Sequence, residues 1–267
     1  IKIRKVPKVL KMKGFGEQHK SKNKRNKKIK YSEEQLIKKA INFHLQGNIS
    51  EAKKYYELCI SKGIDDPRIF TNYGIILNSL GKTKEAEIST RKAIQLNPKL
   101  ADAHSNLGNI LRDLGKLKEA ELYTRKAISL KPKSADAHSN LGNILKDLGK
   151  LEEAESSIRK AIQLKPDFAN AYSNLGNTLK DLGKLEEAES SIRKAIQLKP
   201  DFANAYSNLG NTLKDLGKLE EAELSIRKAI KIDPNYADAY SNLGVILKDL
   251  GKLEEAELSI RKAIKID

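Results

Sequence analysis

Asparagine is the side chain this sequence repeats most usefully for chemistry. Asn72, Asn106, Asn140, Asn174, Asn208 and Asn242 recur at a fixed step of 34 residues, and Asn109, Asn143, Asn177 and Asn211 each follow three positions later. A primary amide carries one acceptor and two donors, so it can match the N–H and C=O of a peptide bond together. A row of such groups addresses a polypeptide backbone rather than its side chains. The same regularity arises if the asparagines only stitch neighbouring elements or face water, because duplication copies idle residues as faithfully as useful ones. Both readings stand at this level. The second row lapses to Ile75 and Val245 in the end units, which narrows its extent.

Other reactive residue types are sparse. His104 and His138 share a repeat position with Tyr172, Tyr206 and Tyr240, which points to packing, and no Cys or acid completes a metal-ligand set around them. Cys59 stands where later units have Ala and is expected to be a small core residue. Asp113, Asp147, Asp181, Asp215 and Asp249 each follow a Lys or Arg and are expected on a solvated face. No nucleophile–base pair, phosphate-cradling glycine loop or metal motif occurs, so the expectation is a binding protein without a cofactor rather than an enzyme.

The elements that hold the asparagines follow from the same period. Gly47, Gly81, Gly115, Gly149, Gly183, Gly217 and Gly251 are each 34 residues apart, as are Pro98, Pro132, Pro166, Pro200 and Pro234, and residues 145–189 and 179–223 are identical. Units begin near Glu33, Pro67, Ala101, Ala135, Ala169, Ala203 and Ala237. Within one unit, Ala171, Tyr172, Leu175, Leu179 and Leu182 form an apolar stripe at helical spacing, ended by Gly183. A second stripe, Leu185, Ala188, Ile192, Ala195, Ile196 and Leu198, is closed by Pro200. Gly176 and Ala188 are small enough to let the two helices approach closely. Glu189 and Arg193, four apart with the acid first, predict an exposed pair contributing about 0.2–0.5 kcal/mol. No stretch alternates with a period of two, so no sheet is expected. One helix pair buries too little apolar surface to fold alone, whereas stacked pairs share a continuous core.

The +16 net charge is unevenly placed. Residues 1–30 hold thirteen Lys/Arg and one acid, Glu17, whereas residues 31–267 hold 38 basic and 34 acidic groups. Residues 1–32 therefore predict a solvated, disordered basic tail, and 33–267 the repeat array. The segment Lys20–Lys30 could make weak electrostatic contact with anions or nucleic acid, although no aromatic is interleaved to stack on bases. One Cys, no leader-like apolar run and no stretch long enough to span a membrane lead to an expectation of a soluble, cytoplasmic protein. The ends suggest a fragment of a longer protein, with an initiator at Met12 and a chain running past Asp267.

The spacing His104-x2-Leu107-Gly108-x2-Leu111, Ala120-x3-Thr124, Pro132 resembles the tetratricopeptide-repeat signature over about residues 33–267. The phrases Ala103-His-Ser-Asn-Leu107 and Lys165-Pro-Asp-Phe168 are similar in particular to the repeat region of O-linked N-acetylglucosamine transferases and to bacterial TPR proteins of several kinds. The resemblance implies an all-α, right-handed α-solenoid of about seven 34-residue helix–turn–helix units, with the first helix of each pair lining a concave groove. It further implies a scaffold that binds an extended peptide or partner protein there, and it carries the peptide-holding role onto the asparagine row from Asn72 to Asn242. The alternative it implies is the substrate-recruiting arm of a larger transferase, such as a protein O-glycosyltransferase, with a catalytic domain beyond Asp267. Some TPR proteins grip acidic chaperone tails with Lys and Arg on these helices. Here Ser105, Ser139, Ser173, Ser207, Asp102 and Asp136 stand there, so the resemblance does not extend to that clamp. The first unit departs from the pattern, with Lys39-Ala40 for Leu-Gly and Asp65-Asp66-Pro67 at its turn, as suits a cap.

Overall fold

The computed structural model describes residues 31–266, so the basic segment Lys20–Lys30 lies outside the described residues. Contacts divide the chain into Ile1–Ser32 and Glu33–Asp267. The second unit is built of fourteen helices with no strand among the described residues. The first helices of the pairs, called A here, are α1 (Glu33–Leu45), α3 (Pro67–Ser79), α5 (Ala101–Asp113), α7 (Ala135–Asp147), α9 (Ala169–Asp181), α11 (Ala203–Asp215) and α13 (Ala237–Asp249). The second helices, called B, are α2 (Ile49–Ser61), α4 (Thr83–Leu96), α6 (Leu117–Leu130), α8 (Leu151–Leu164), α10 (Leu185–Leu198), α12 (Leu219–Ile232) and α14 (Leu253–Ile266). No helix among the described residues is long and apolar enough to cross a membrane.

Local chemistry sets the punctuation. Gly183 takes φ 76°, in the left-handed region where a side chain is strained, and this lets Lys184 N–H donate back to Leu179 C=O at 2.8 Å. The second helix therefore folds back on the first. At the start of α3, Asp66 accepts from Arg68 N–H at 2.8 Å while Pro67 fills the first helical turn, where its missing N–H costs nothing.

Packing follows a fixed rule. Each A helix packs on its own B helix, each B helix on the next A helix, and each A helix also touches the next A helix. Successive B helices make no such contact among the described residues. The A row is therefore the tighter one, and this unit is an α-solenoid that bends toward it. The core repeats with the sequence: Ile158 and Ala161 of α8 pack with Ala171, Leu175 and Leu179 of α9. Each fully buried Leu or Ile contributes about 1.5–3 kcal/mol.

The closest approach within a pair is at glycine. A Cβ at Gly176 would run into the Ile192 side chain and lie 3.1 Å from Ala188 C=O. In α3 and α5 the matching glycines, Gly74 and Gly108, face Thr90 and Thr124 instead. The first unit solves the same site differently, with Ala40 and the fully buried Tyr56. Cys59 is fully buried there too, and burial pushes its thiol pKa up, as expected for a packing residue.

Candidate functional site

The A row brings the asparagines onto one surface. A groove of about 640 Å³ across α3, α5 and α7 is lined by Asn72, Asn106, Asn109 and Asn140, with Asp102 and Ser105. Asn143, Asn174, Asn177, Asn208, Asn211 and Asn242 occupy the same A-helix positions further along, and all ten asparagines are half-buried. Helical geometry explains the two rows, since residues three apart share a face.

The first row is tied from repeat to repeat. Asn140, Asn174, Asn208 and Asn242 each donate an Nδ2–H to the hydroxyl oxygen of Ser105, Ser139, Ser173 and Ser207, at 3.2, 3.4, 3.1 and 3.2 Å. Asn208 spends its second N–H on Asn204 Oδ1 at 3.0 Å. For Asn140, Asn174 and Asn242, one N–H and the carbonyl oxygen have no partner among the described residues, nor does the Asn208 carbonyl oxygen. None of these carbonyl oxygens is sealed from solvent. The stitching between units thus leaves part of each amide without a partner among the described residues.

Of the four serines that sequence placed on the groove, Ser105 lines it, half-buried, and the other three do not. Ser139, Ser173 and Ser207 are buried beneath the asparagines, not on the groove surface, and hold the amide from below. The signal was present as the Ser-Asn dipeptide repeated every 34 residues, which sets each asparagine 35 residues after its serine. At the groove's first repeats, Arg68 is clasped by Asp66 at 2.7 Å and Glu34 at 2.8 Å, which raises its pKa above the ordinary guanidinium value. Lys131 lies 3.5 Å from Asp102. The lining charges, Arg68 and Lys131 against Asp102 and Asp136, balance.

The opposite surface carries an ionic ladder that sequence reading caught only in part. The pair Glu189–Arg193 is not an isolated exposed one. Glu189 is largely buried, accepting from Arg193 Nε at 2.8 Å and from Lys218 of the next unit at 2.8 Å. Arg193 also reaches Glu221 of that unit at 3.1 Å. The pattern recurs at Glu87, Glu121, Glu155 and Glu223 with Lys116, Lys150, Lys184 and Lys252. In each of the five the lysine hydrogen bond, followed by the arginine, holds the carboxyl below its usual pKa against the opposing effect of burial. The aspartates expected on a solvated face also bridge units: Asp113 accepts from Asn78 at 2.7 Å and Asp147 from Arg112.

His104 and His138 are spent locally, each donating Nε2–H to the Pro98 or Pro132 carbonyl at 2.9 and 3.1 Å, and the His104 ring stacks on Tyr123. Among the described residues no group of three or more His, Cys, Asp or Glu side chains could hold a metal.

Comparison with known proteins points one way. The family model described as TPR repeat matches residues 142–183, 176–217 and 210–251. Models described as tetratricopeptide repeat match 67–100, 101–134, 123–156 and 237–267. None of the curated proteins matches the chain. Among solved structures, MamA is 26% identical with a TM-score of 0.52, over 60% of this chain and 94% of that one. A tetratricopeptide repeat protein from Parabacteroides merdae is 22% identical with a TM-score of 0.70, over 88% of this chain and 93% of that one. The Cut9–Hcn1 hetero-tetramer of the APC/C gives a TM-score of 0.74 at 18% identity, over 81% of this chain and 43% of that one.

Proposed function

Since this chain belongs to the tetratricopeptide-repeat family, we propose that it is a protein-interaction scaffold holding an extended peptide segment of a partner along its A-helix groove. One observation carries the reading. Asn140, Asn174 and Asn242 are oriented by a serine from the preceding unit and still keep a donor and an acceptor without a partner among the described residues. A pre-oriented amide loses little freedom on binding, which is what lets a polar contact add net affinity. Its paired donor and acceptor suit a backbone amide at any residue, so specificity falls to the few places where the lining departs from asparagine, such as Ile75 and Val245. With Arg68 and Lys131 both engaged by carboxylates, an extended, largely uncharged segment fits better than an acidic tail.

The test is capture of partners by the full chain and by the triple variant Asn140→Ala/Asn174→Ala/Asn208→Ala, with circular dichroism confirming equal helicity. Loss of the partners captured by the parent is the expected result. Retention of every one of them would remove the asparagine row from the function.

A further inference from the structure

One inner joint of the array breaks its ionic pattern beside the asparagine groove. Near the end of the A helices, a cation of one helix faces an aspartate of the next. Arg112, Lys146 and Lys180 reach Asp147, Asp181 and Asp215 in this way, the last two at 3.6 and 3.9 Å. At the α11–α13 joint the cation is still present as Lys214, 3.5 Å from Asp215. At the α3–α5 joint it is missing, because Asn78 stands in its place. Asn78 donates an Nδ2–H to Asp113 at 2.7 Å, and the exposed Asp113 has no ion pair among the described residues. That bond turns the amide so that Asn78 Oδ1 is buried without a hydrogen-bond partner. The same joint holds a pocket of about 230 Å³, lined by Ile75, Asn78, Asn106, Asn109 and Ile110. It shares Ile75, Asn106 and Asn109 with the groove. Ile110 gives it a buried apolar floor, and Ile75, 38% exposed, an apolar wall where α5, α7, α9 and α11 have asparagine. Asp113 lies four residues beyond Asn109 on the same face of α5, about 6 Å along its axis.

We infer that this pocket is a subsite for one lysine or arginine side chain of the segment bound in the groove. The aliphatic stem lies on Ile75 and Ile110, and the cationic end meets the Asp113 carboxylate, supplying from the ligand the charge that Asn78 leaves out. Both side chains carry several N–H donors, enough for Asp113 and, once the amide turns outward, for Asn78 Oδ1 as well. An apolar side chain would fill the pocket and leave Asp113 without its cation. An acidic one would meet it with like charge. This subsite rests on the groove reading above and adds to it a single basic residue, at a fixed place in an otherwise uncharged segment.

The probe is a phage library of random peptides of about twelve residues, panned on the full chain. At about 3.3 Å per residue such a peptide runs from this joint past α9, three A helices away at about 9 Å each. Only peptides that the Asn140→Ala/Asn174→Ala variant fails to bind are kept, which confines the set to groove ligands without touching the pocket. A Lys or Arg at one fixed position in these peptides is expected. Replacing it by norleucine, which keeps the stem and drops the charge, should weaken binding to the parent about 5- to 10-fold in calorimetry. In Asn78→Lys that difference should vanish, because the chain then supplies its own cation to Asp113. Lysine is native at this place in α7, α9, α11 and α13, so the variant keeps the fold, which circular dichroism and melting verify. Groove ligands with no fixed basic residue, or an equal norleucine effect in the parent and in Asn78→Lys, overturn the subsite and leave the groove reading standing. If no peptide depends on the asparagines, both fall together.

Discussion

Two polar ladders run along this array at the same period and end in different chemical states. On the B-helix side, Glu155 has one oxygen on Arg159 at 2.8 Å and the other on Lys184 at 2.8 Å, and Arg159 continues to Glu187. Each charge there meets an opposite charge, within its unit and across the joint. On the A-helix side, Asn174 makes one side-chain hydrogen bond, to Ser139, and the rest of its amide has no partner among the described residues. The first ladder is closed and holds units together; the second is partly open and has hydrogen bonds left to offer. Periodicity alone cannot separate the two, because both are copied with equal fidelity. What separates them is whether the partners lie inside the molecule.

The largest effect is expected where both ladders lose their frame. Gly176→Leu pushes a side chain into Ile192 and the Ala188 carbonyl, so α9 must lift from α10. A loss of about 3 kcal/mol, at the upper end for overpacking, is expected in denaturant unfolding, together with loss of partner capture. A variant as stable as the parent would mean the helix pair is looser than described.

Breaking the closed ladder alone sharpens the contrast. Glu189→Ala removes the acceptor for Arg193 and Lys218 and should cost about 1–2 kcal/mol, moderated because both cations are partly exposed. Partner capture should be unchanged, and its loss would merge the two surfaces into one function. The same ladder sets a pH dependence. Glu87, Glu121, Glu155, Glu189 and Glu223 have folded pKa values below the unfolded carboxylate value of about 4.3, so the unfolded state binds more protons as pH falls. Their stabilisation is full above that value and lost as pH drops through the lowered ones. Melting temperature should therefore fall below about pH 4.5, less steeply in Glu189→Gln than in the parent. Identical slopes would show that this network does not discriminate between the folded and unfolded chain.

The smallest stability effect is expected on the open ladder. Asn174→Ala removes one hydrogen bond to Ser139 and should cost about 0.5–1 kcal/mol, comparable to Ser139→Ala. A larger loss would indicate that the asparagine is chiefly structural.

The fold was legible because its determinants are local. The stripe Ala171 to Leu182, the stop at Gly183 and the close approach at Gly176 each need only a short window of sequence. Much of the site was not legible, because its meaning lies between units. Ser139 looks like a groove residue within its own helix, yet it is buried under Asn174 of the next one. Glu189 looks like half of a surface pair until Lys218, 29 residues on, arrives at its other oxygen. Constant offsets of 28, 29 and 35 residues carried that information, but they acquire direction only once neighbouring helices are placed.

Backbone recognition by the asparagine row can be tested by titration calorimetry of the full chain. The ligand is a peptide from a captured partner, compared with versions N-methylated at one backbone amide at a time. N-methylation removes one donor and leaves every side chain in place. Affinity should fall about 2- to 12-fold at each amide facing an asparagine carbonyl, the worth of one hydrogen bond of 0.5–1.5 kcal/mol, and in Asn174→Ala the loss should vanish at one position. Full affinity for every N-methylated peptide would contradict backbone recognition outright.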